Sequence, residues 1–244
     1  MFEWPVVPIC EAQKLDVSPE DLLNGGLYRK CRTYKAGGGY DKFPFIYKRR
    51  YPESDVPNLD EQFVVQTQGC PLQCPYCYVT KRGVNGEAKF IPTADLVADF
   101  HASGCGVFHL MGGAPALYLE HWEEILHKLN GKPFHSDFLL CEKPYAPEVL
   151  SQIALYGRQL HAVSIKGKDP EQYRKNTGIA PDFHLMKSNL YKLVESGIPF
   201  YITFTGMTIN DVADFKYDWA DFEVFKDAFS IDIRDYNALH WEGN

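Results

Sequence analysis

From residue 62 onward the chain alternates short apolar runs with longer segments of helical period, and few folds accommodate that alternation. The runs are Gln62–Thr67, Gly106–Leu110, Asp137–Leu140, His161–Ile165, Pro199–Phe204 and Ala228–Ile233, each four to six residues long. They are rich in Val, Ile and Phe, as strands buried on both faces are. Between them Leu96, Val97 and Phe100 share a helical face behind a capping Thr93, with Gly104 as the stop. Trp122, Ile125, Leu126 and Leu129 do the same before Gly131, and Pro147 opens a segment carrying Val149, Leu150 and Ile153 up to Gly157. Asp182 precedes Phe183, Met186, Leu190 and Val194, and a fifth segment spans Val212–Trp219. Six strands alternating with five helices predict parallel βαβ units. The sheet is then either open and doubly wound or a curved, incomplete (β/α) barrel. Both place functional loops at the carboxyl ends of the strands.

Residues 1 to about 60 show no sustained period and carry Pro5, Pro8, Gly37–Gly39, Pro44, Pro52 and Pro57. An irregular leader wrapped on a core of residues 61–244 is expected. No apolar run reaches the roughly 18 residues that cross a bilayer. The start, Met-Phe-Glu-Trp-Pro, has no basic stretch followed by an apolar one, so a cytoplasmic protein is expected. A net charge of −7 argues against general affinity for a nucleic-acid backbone. The charge is uneven, with eight Lys/Arg and one acid between Tyr28 and Arg50, so that segment is +7 and the rest −14. Its cations interleave with Tyr34, Tyr40, Phe43, Phe45 and Tyr47. Those aromatics either stack on single-stranded RNA or nucleotides, or pack on the core while the cations are solvated.

Three of the seven cysteines crowd the stretch GCPLQCPYCY just after the first apolar run. Their spacing is C-x3-C-x2-C. Zinc sites generally pair two such motifs, and there is no second one here. A redox dithiol needs only C-x2-C and leaves Cys70 unexplained. An iron–sulfur cube takes thiolates, and Cys70, Cys74 and Cys77 can hold three irons while the fourth stays open to a non-protein ligand.

That motif, with Tyr76 before the last cysteine and at the end of the first strand, resembles the signature of the radical SAM superfamily. The resemblance implies a partial (β/α)6 barrel, a 4Fe-4S cluster on the three cysteines, S-adenosylmethionine (SAM) on the fourth iron, and Tyr76 near the adenine. It also implies an electron donor such as flavodoxin or ferredoxin. HLMGGAPA, after the second run, is similar to the family's Gly-Gly-Glu-Pro-like stretch at the SAM amino group. Gly112, Gly113 and Pro115 match, and Ala114 replaces the usual acid. The two glycines would let backbone amides approach an anionic ligand closely.

SIKGKDPEQYRKNTG (164–178) is similar to a stretch of the glycyl-radical-enzyme activating enzymes, the group of pyruvate formate-lyase activase. There Lys166 would meet the SAM carboxylate, with Ser164 beside it. Thr203, near the end of the fifth run, either reaches the ribose or is simply a residue that suits a strand. Against the activase group, Pro57–Gln68 lacks its Gly-Pro-Gly-Ile-Arg-like stretch, and Tyr78-Val79 replaces its His-Asn. On the sixth run Asp232 and Arg234 are either a barrel-lining pair or a plain ion pair. Cys141 ends the third run, where strand alternation puts it with Leu139. It is either a hydrogen-atom donor at the barrel mouth or a small buried hydrophobe.

The leading expectation is therefore a radical SAM enzyme that cleaves SAM reductively and takes a hydrogen atom from a protein or peptide. The alternatives are a nucleoside, RNA or small-molecule substrate, peptide epimerisation, or an iron–sulfur or zinc protein without turnover.

Overall fold

The structure, a computed structural model, describes residues 2–12, 17–32, 43–218 and 231–234. In chain order its elements are β1 (Glu3–Val6), α1 (Ile9–Ala12), β2 (Leu22–Leu23), β3 (Tyr28–Arg32), α2 (Phe43–Arg50) and β4 (Glu61–Gln66). Then come α3 (Lys81–Asn85), β5 (Lys89–Pro92), α4 (Thr93–Ser103), β6 (Val107–Met111), α5 (Trp122–Leu129), β7 (Phe134–Phe138) and α6 (Pro147–Ala154). The chain continues through β8 (Gln159–Ile165), α7 (Pro170–Thr177), α8 (Phe183–Ser196), β9 (Phe200–Thr205), α9 (Ile209–Asp218) and β10 (Ile231–Arg234). The main sheet has the order β10-β9-β8-β7-β6-β4-β3-β2. Its six strands from β10 to β4 pair in parallel, as the alternation required. That is the expected α/β fold, a partial barrel left open at both sheet edges.

The leader is more regular than its Pro and Gly content suggests. β2 and β3 extend the sheet antiparallel to β4, while β1 pairs with β5 in a separate two-stranded ribbon. The third strand is Phe134–Phe138 rather than Asp137–Leu140. Its polar His135, Ser136 and Asp137 hid it from a search for apolar runs. Thr93 does not cap α4. Pro92 occupies that position, and the Thr93 hydroxyl instead donates to the Phe2 carbonyl and accepts from the Trp4 indole. α7 was not expected, although Asp169-Pro170 before it and Gly178 after it are ordinary start and stop signals.

The sheet separates two apolar layers. Phe63, Val65, Phe108, Leu110, Phe138, Val163 and Phe204 pack against the flanking helices through Leu96, Trp122, Leu150 and Leu190. On the other face Phe43, Ile46 and Tyr47 of α2 meet Val107, Leu160, Ala162 and Tyr201, residues at or near the amino ends of their strands. Each such large buried side chain contributes roughly 1.5–3 kcal/mol. α2 therefore closes the amino end of that face and leaves the carboxyl end for chemistry. This also accounts for Phe43 and Tyr47 of the basic aromatic segment, whereas Phe45 is exposed and Tyr34 and Tyr40 lie outside the described residues. Lys30 and Arg32 pair with Glu61 and, for Arg32, with Asp21 as well. No helix among the described residues is long and apolar enough to cross a membrane.

Candidate active site

The cysteine loop leaves the carboxyl end of β4 and is held on every side. Thr67 N donates to Met111 O at 3.1 Å, Thr67 Oγ1 to Gly112 O at 2.9 Å, and Ala114 N to Gly69 O at 2.7 Å. The Tyr118 hydroxyl donates to Gln68 O at 3.0 Å, and Gln73 N to Thr177 O at the end of α7 at 2.8 Å. Leu72, Tyr76 and Val79 are buried and anchor the loop from within. None of the three thiols forms a disulfide, and all three are half-buried. Burial pushes Cys70 up to about 12, with Cys74 and Cys77 adding to the rise and Lys166 opposing it. A thiol placed as Cys70 is stays protonated until a cation displaces its proton, which is what iron does.

The thiol set fits a cluster better than a single ion. Among the described residues no group of three or more His, Cys, Asp or Glu converges as ligands of one metal ion. In a cube each thiolate meets a different iron, so convergence on one point is not required.

Gly112 and Gly113 have φ of 69° and 58°, in the left-handed region. A Cβ on Gly113 would lie 2.3 Å from Gly69 O and 2.7 Å from Thr67 O. The close approach that the glycines permit is thus, first of all, to this chain's own cysteine loop. Ala114 is fully buried in the apolar core, so a carboxylate there would need repacking. Pro115 is buried too and starts a 3-10 stretch, Pro115–His121, that kinks at Tyr118.

At the ends of β8 and β9 the expected hydroxyls meet each other, Ser164 Oγ to Thr203 Oγ1 at 3.2 Å, as their register as strand partners allows. Lys166 lies over the Tyr76 ring with its Nζ 5.7 Å from the centroid. Burial pushes the Tyr76 phenol up to about 12 against the opposing charge of Lys166. Tyr76 therefore faces inward. Lys166 thus meets the cysteine loop through Tyr76, the hydroxyl pair lies at the ends of β8 and β9 just before it, and Gly113 presses on the loop from the end of β6.

Cys141 reaches the same neighbourhood, but not by strand alternation. β7 ends at Phe138, Leu139 sits in the helix-side core, and Leu140 turns the chain with φ 67°. The turn is held by Asn189 on α8, which donates to Leu140 O and Lys143 O at 2.8 Å and accepts from Tyr145 N at 2.8 Å. Burial first, then Glu142 and Cys70, push the Cys141 thiol up to about 12. Of Asp232 and Arg234 only the strand position is described.

Sequence reasoning missed several residues that build this place. Asn176 is buried and spends both amide protons on the two strand ends, at 2.8 Å to Lys166 O and 2.9 Å to Gly206 O. Gly178, with φ 76°, lets α7 end against Gln73 of the cysteine loop. On the face that α2 covers, His109 stacks on His135 at 4.1 Å and faces Asp137 at 4.0 Å, and His135 meets the Tyr201 hydroxyl at 3.1 Å. Polar residues alternating within an otherwise apolar strand were the available signal.

A profile of the Radical SAM superfamily matches residues 64–216. No curated protein matches the sequence. Among solved structures, anSMEcpe with AdoMet bound gives a TM-score of 0.52 at 16% identity, over 68% of this chain and 47% of its own. SuiB from Streptococcus suis, bound to the precursor peptide SuiA, gives 0.55 at 13% identity, over 78% of this chain and 42% of its own. The radical S-adenosylmethionine methyltransferase TsrM from Kitasatospora setae, with cobalamin and a 4Fe-4S cluster bound, gives 0.50 at 16% identity, over 68% and 34%. The chain spans less than half the length of each, and at these identities the similarity is one of fold.

Proposed function

The chain belongs to the radical SAM superfamily, and from that premise we propose that it is a SAM-dependent radical enzyme acting on a peptide or protein, in the manner of the glycyl-radical-enzyme activases. The cofactors are those of the family, a 4Fe-4S cluster and SAM. When bound, they supply a 5′-deoxyadenosyl radical that takes a hydrogen atom from the substrate. Reduction would come from a carrier such as flavodoxin or ferredoxin.

The observation that carries this reading is the convergence of the Cys70, Cys74 and Cys77 loop with the β8 and β9 ends. In this reading the three thiolates hold the cluster, and Lys166 supplies a positive charge toward the SAM carboxylate. Ser164 and Thr203 offer a paired hydroxyl edge to the ribose, and Tyr76 stiffens the loop beneath the adenine. Gly112 and Gly113, with Pro115 behind them, set the wall that faces the methionine end. The chain's own part is to bind, orient and exclude water. Support for a peptide comes from two sides. The stretch from Ser164 to Gly178 resembles the activases, and the fold matches that of SuiB with its peptide bound.

The test is anaerobic. Reconstituted wild type should carry about four irons, as the proposed cube requires, and with dithionite and SAM it should release 5′-deoxyadenosine. Cys70→Ala, Cys74→Ala and Cys77→Ala should each lose the charge-transfer absorption, while Cys10→Ala and Cys31→Ala keep it. A normal cluster in any of the first three, or a loaded wild type that never cleaves SAM, would overturn the reading.

A further inference from the structure

α7 presents Tyr173, Asn176 and Thr177 on one face, at the i, i+3 and i+4 spacing of neighbours on a helix. Two of these have evident work. Asn176 ties together the ends of β8 and β9, and Thr177 O receives the cysteine loop through Gln73 N. Tyr173, one turn earlier, is fully buried, and its backbone carbonyl accepts the Thr177 hydroxyl at 2.8 Å. Gly167 lets the helix press close here, since a Cβ on it would lie 2.4 Å from Tyr173 N.

The Tyr173 hydroxyl itself has no hydrogen-bond partner among the described residues. A buried phenol left in that state bears the desolvation penalty of its hydroxyl uncompensated, and Phe would fill the same space without the cost. The helix that carries the phenol touches the cysteine loop through Gln73 N and Thr177 O at 2.8 Å, and Cys141, Cys74, Glu142 and Tyr76 are the groups whose charges reach it. Each buried orphan calls for an explanation, and a ligand bound at that spot is one.

We propose that Tyr173 is a positioning residue whose hydroxyl donates a hydrogen bond to sulfur of the iron–sulfur centre held by Cys70, Cys74 and Cys77. This rests on the reading of the cysteine loop given above. Hydrogen bonds to sulfur stabilise the more negative, reduced state of a cluster and raise its reduction potential. Tyr173 thereby eases one-electron reduction without touching the substrate.

The experiment compares reconstituted wild type with Tyr173→Phe. In the variant the midpoint potential, followed by EPR, should move to more negative values. At a solution potential near the wild-type midpoint, the ratio of reduced to oxidised cluster should fall several-fold. Wild type exchanged into D2O should show an exchangeable proton coupled to the reduced cluster by ENDOR, and Tyr173→Phe should lack it. Without iron the variant should melt no lower than wild type, because it loses only an orphan hydroxyl. An unchanged potential with the same exchangeable coupling would overturn the proposal, assigning the hydroxyl to water. So would a variant that melts lower without iron, because the hydroxyl would then have a protein partner. These failures differ from failure of the functional reading, in which wild type itself would assemble no cluster or leave SAM intact.

Discussion

Replacing Gly113 by Ala isolates how tightly the wall after β6 is pressed on the cysteine loop. Two effects add. At φ 58° an L-residue pays for the left-handed conformation, a cost of roughly 1–2 kcal/mol. The new Cβ would also sit 2.3 Å from Gly69 O, and real Cβ atoms essentially never come within 3.0 Å of such a neighbour. The obstacle is backbone on a clamped loop, so it cannot rotate away. Relieving the overlap displaces a carbonyl that accepts from Ala114 N at 2.7 Å. Overpacking of this kind costs about 1–3 kcal/mol, which brings the expected loss for Gly113→Ala to about 2–5 kcal/mol. Gly131→Ala is the control, because Gly131 has φ 78° with nothing within 4 Å of the added methyl. It should lose only the conformational part, about 1–2 kcal/mol. Urea unfolding of both variants without iron, followed by tryptophan fluorescence, gives the difference directly. Equal losses would refute the close approach. The same displacement moves Gly69, next to Cys70, so Gly113→Ala should also bind less iron per chain than Gly131→Ala.

Asn176→Ala strips a partner from each of the half-buried Lys166 and Gly206 carbonyls; it should cost about 2–4 kcal/mol in urea unfolding and lower iron retention, and a neutral variant would deny it a role in joining the strand ends. His161 is fully buried among Trp122, Phe134 and Phe138, with a ring nitrogen 2.9 Å from Gln159 Oε1. Burial pushes its pKa down to about 3 from 6.5, so below pH 6.5 the unfolded chain binds a proton that the folded chain refuses. Stability contributed by the neutral ring is therefore complete above pH 6.5 and falls by up to about 1.4 kcal/mol per pH unit as pH drops toward 3. His161→Gln should show a correspondingly flatter stability profile between pH 6 and 4, and parallel profiles would contradict the assignment. Cys141→Ala should keep its iron and its SAM cleavage. If wild type takes solvent deuterium into product and the variant does not, Cys141 is a hydrogen-atom donor and the activase-like reading fails.

Periodicity in the sequence determined the layer architecture, because a strand buried on both faces and a helix with one apolar stripe leave different marks in a linear pattern. The cysteine spacing likewise marked the site's location, since a loop at the carboxyl end of the first parallel strand can be placed by counting. The third strand escaped the same counting because His135 and Asp137 face the side of the sheet that α2 covers, where His135 packs on His109 and Phe43, and because Ser136 interrupts the apolar face between Phe134 and Phe138. Ser164 and Thr203 were legible singly, but their pairing depends on the register of β8 against β9. For Cys141 it is the expected route, strand alternation with Leu139, that does not hold, because β7 ends at Phe138. The left-handed turn at Leu140 is stabilised by Asn189, 49 positions further on, and no local pattern encodes that contact. Asn176 and Tyr173 stood in plain view within SIKGKDPEQYRKNTG. What they do was decided only when α7 folded back under the cysteine loop. A buried side chain acts through the partners that distant segments bring to it, and a one-dimensional pattern carries its own periodicity but not the identity of those partners.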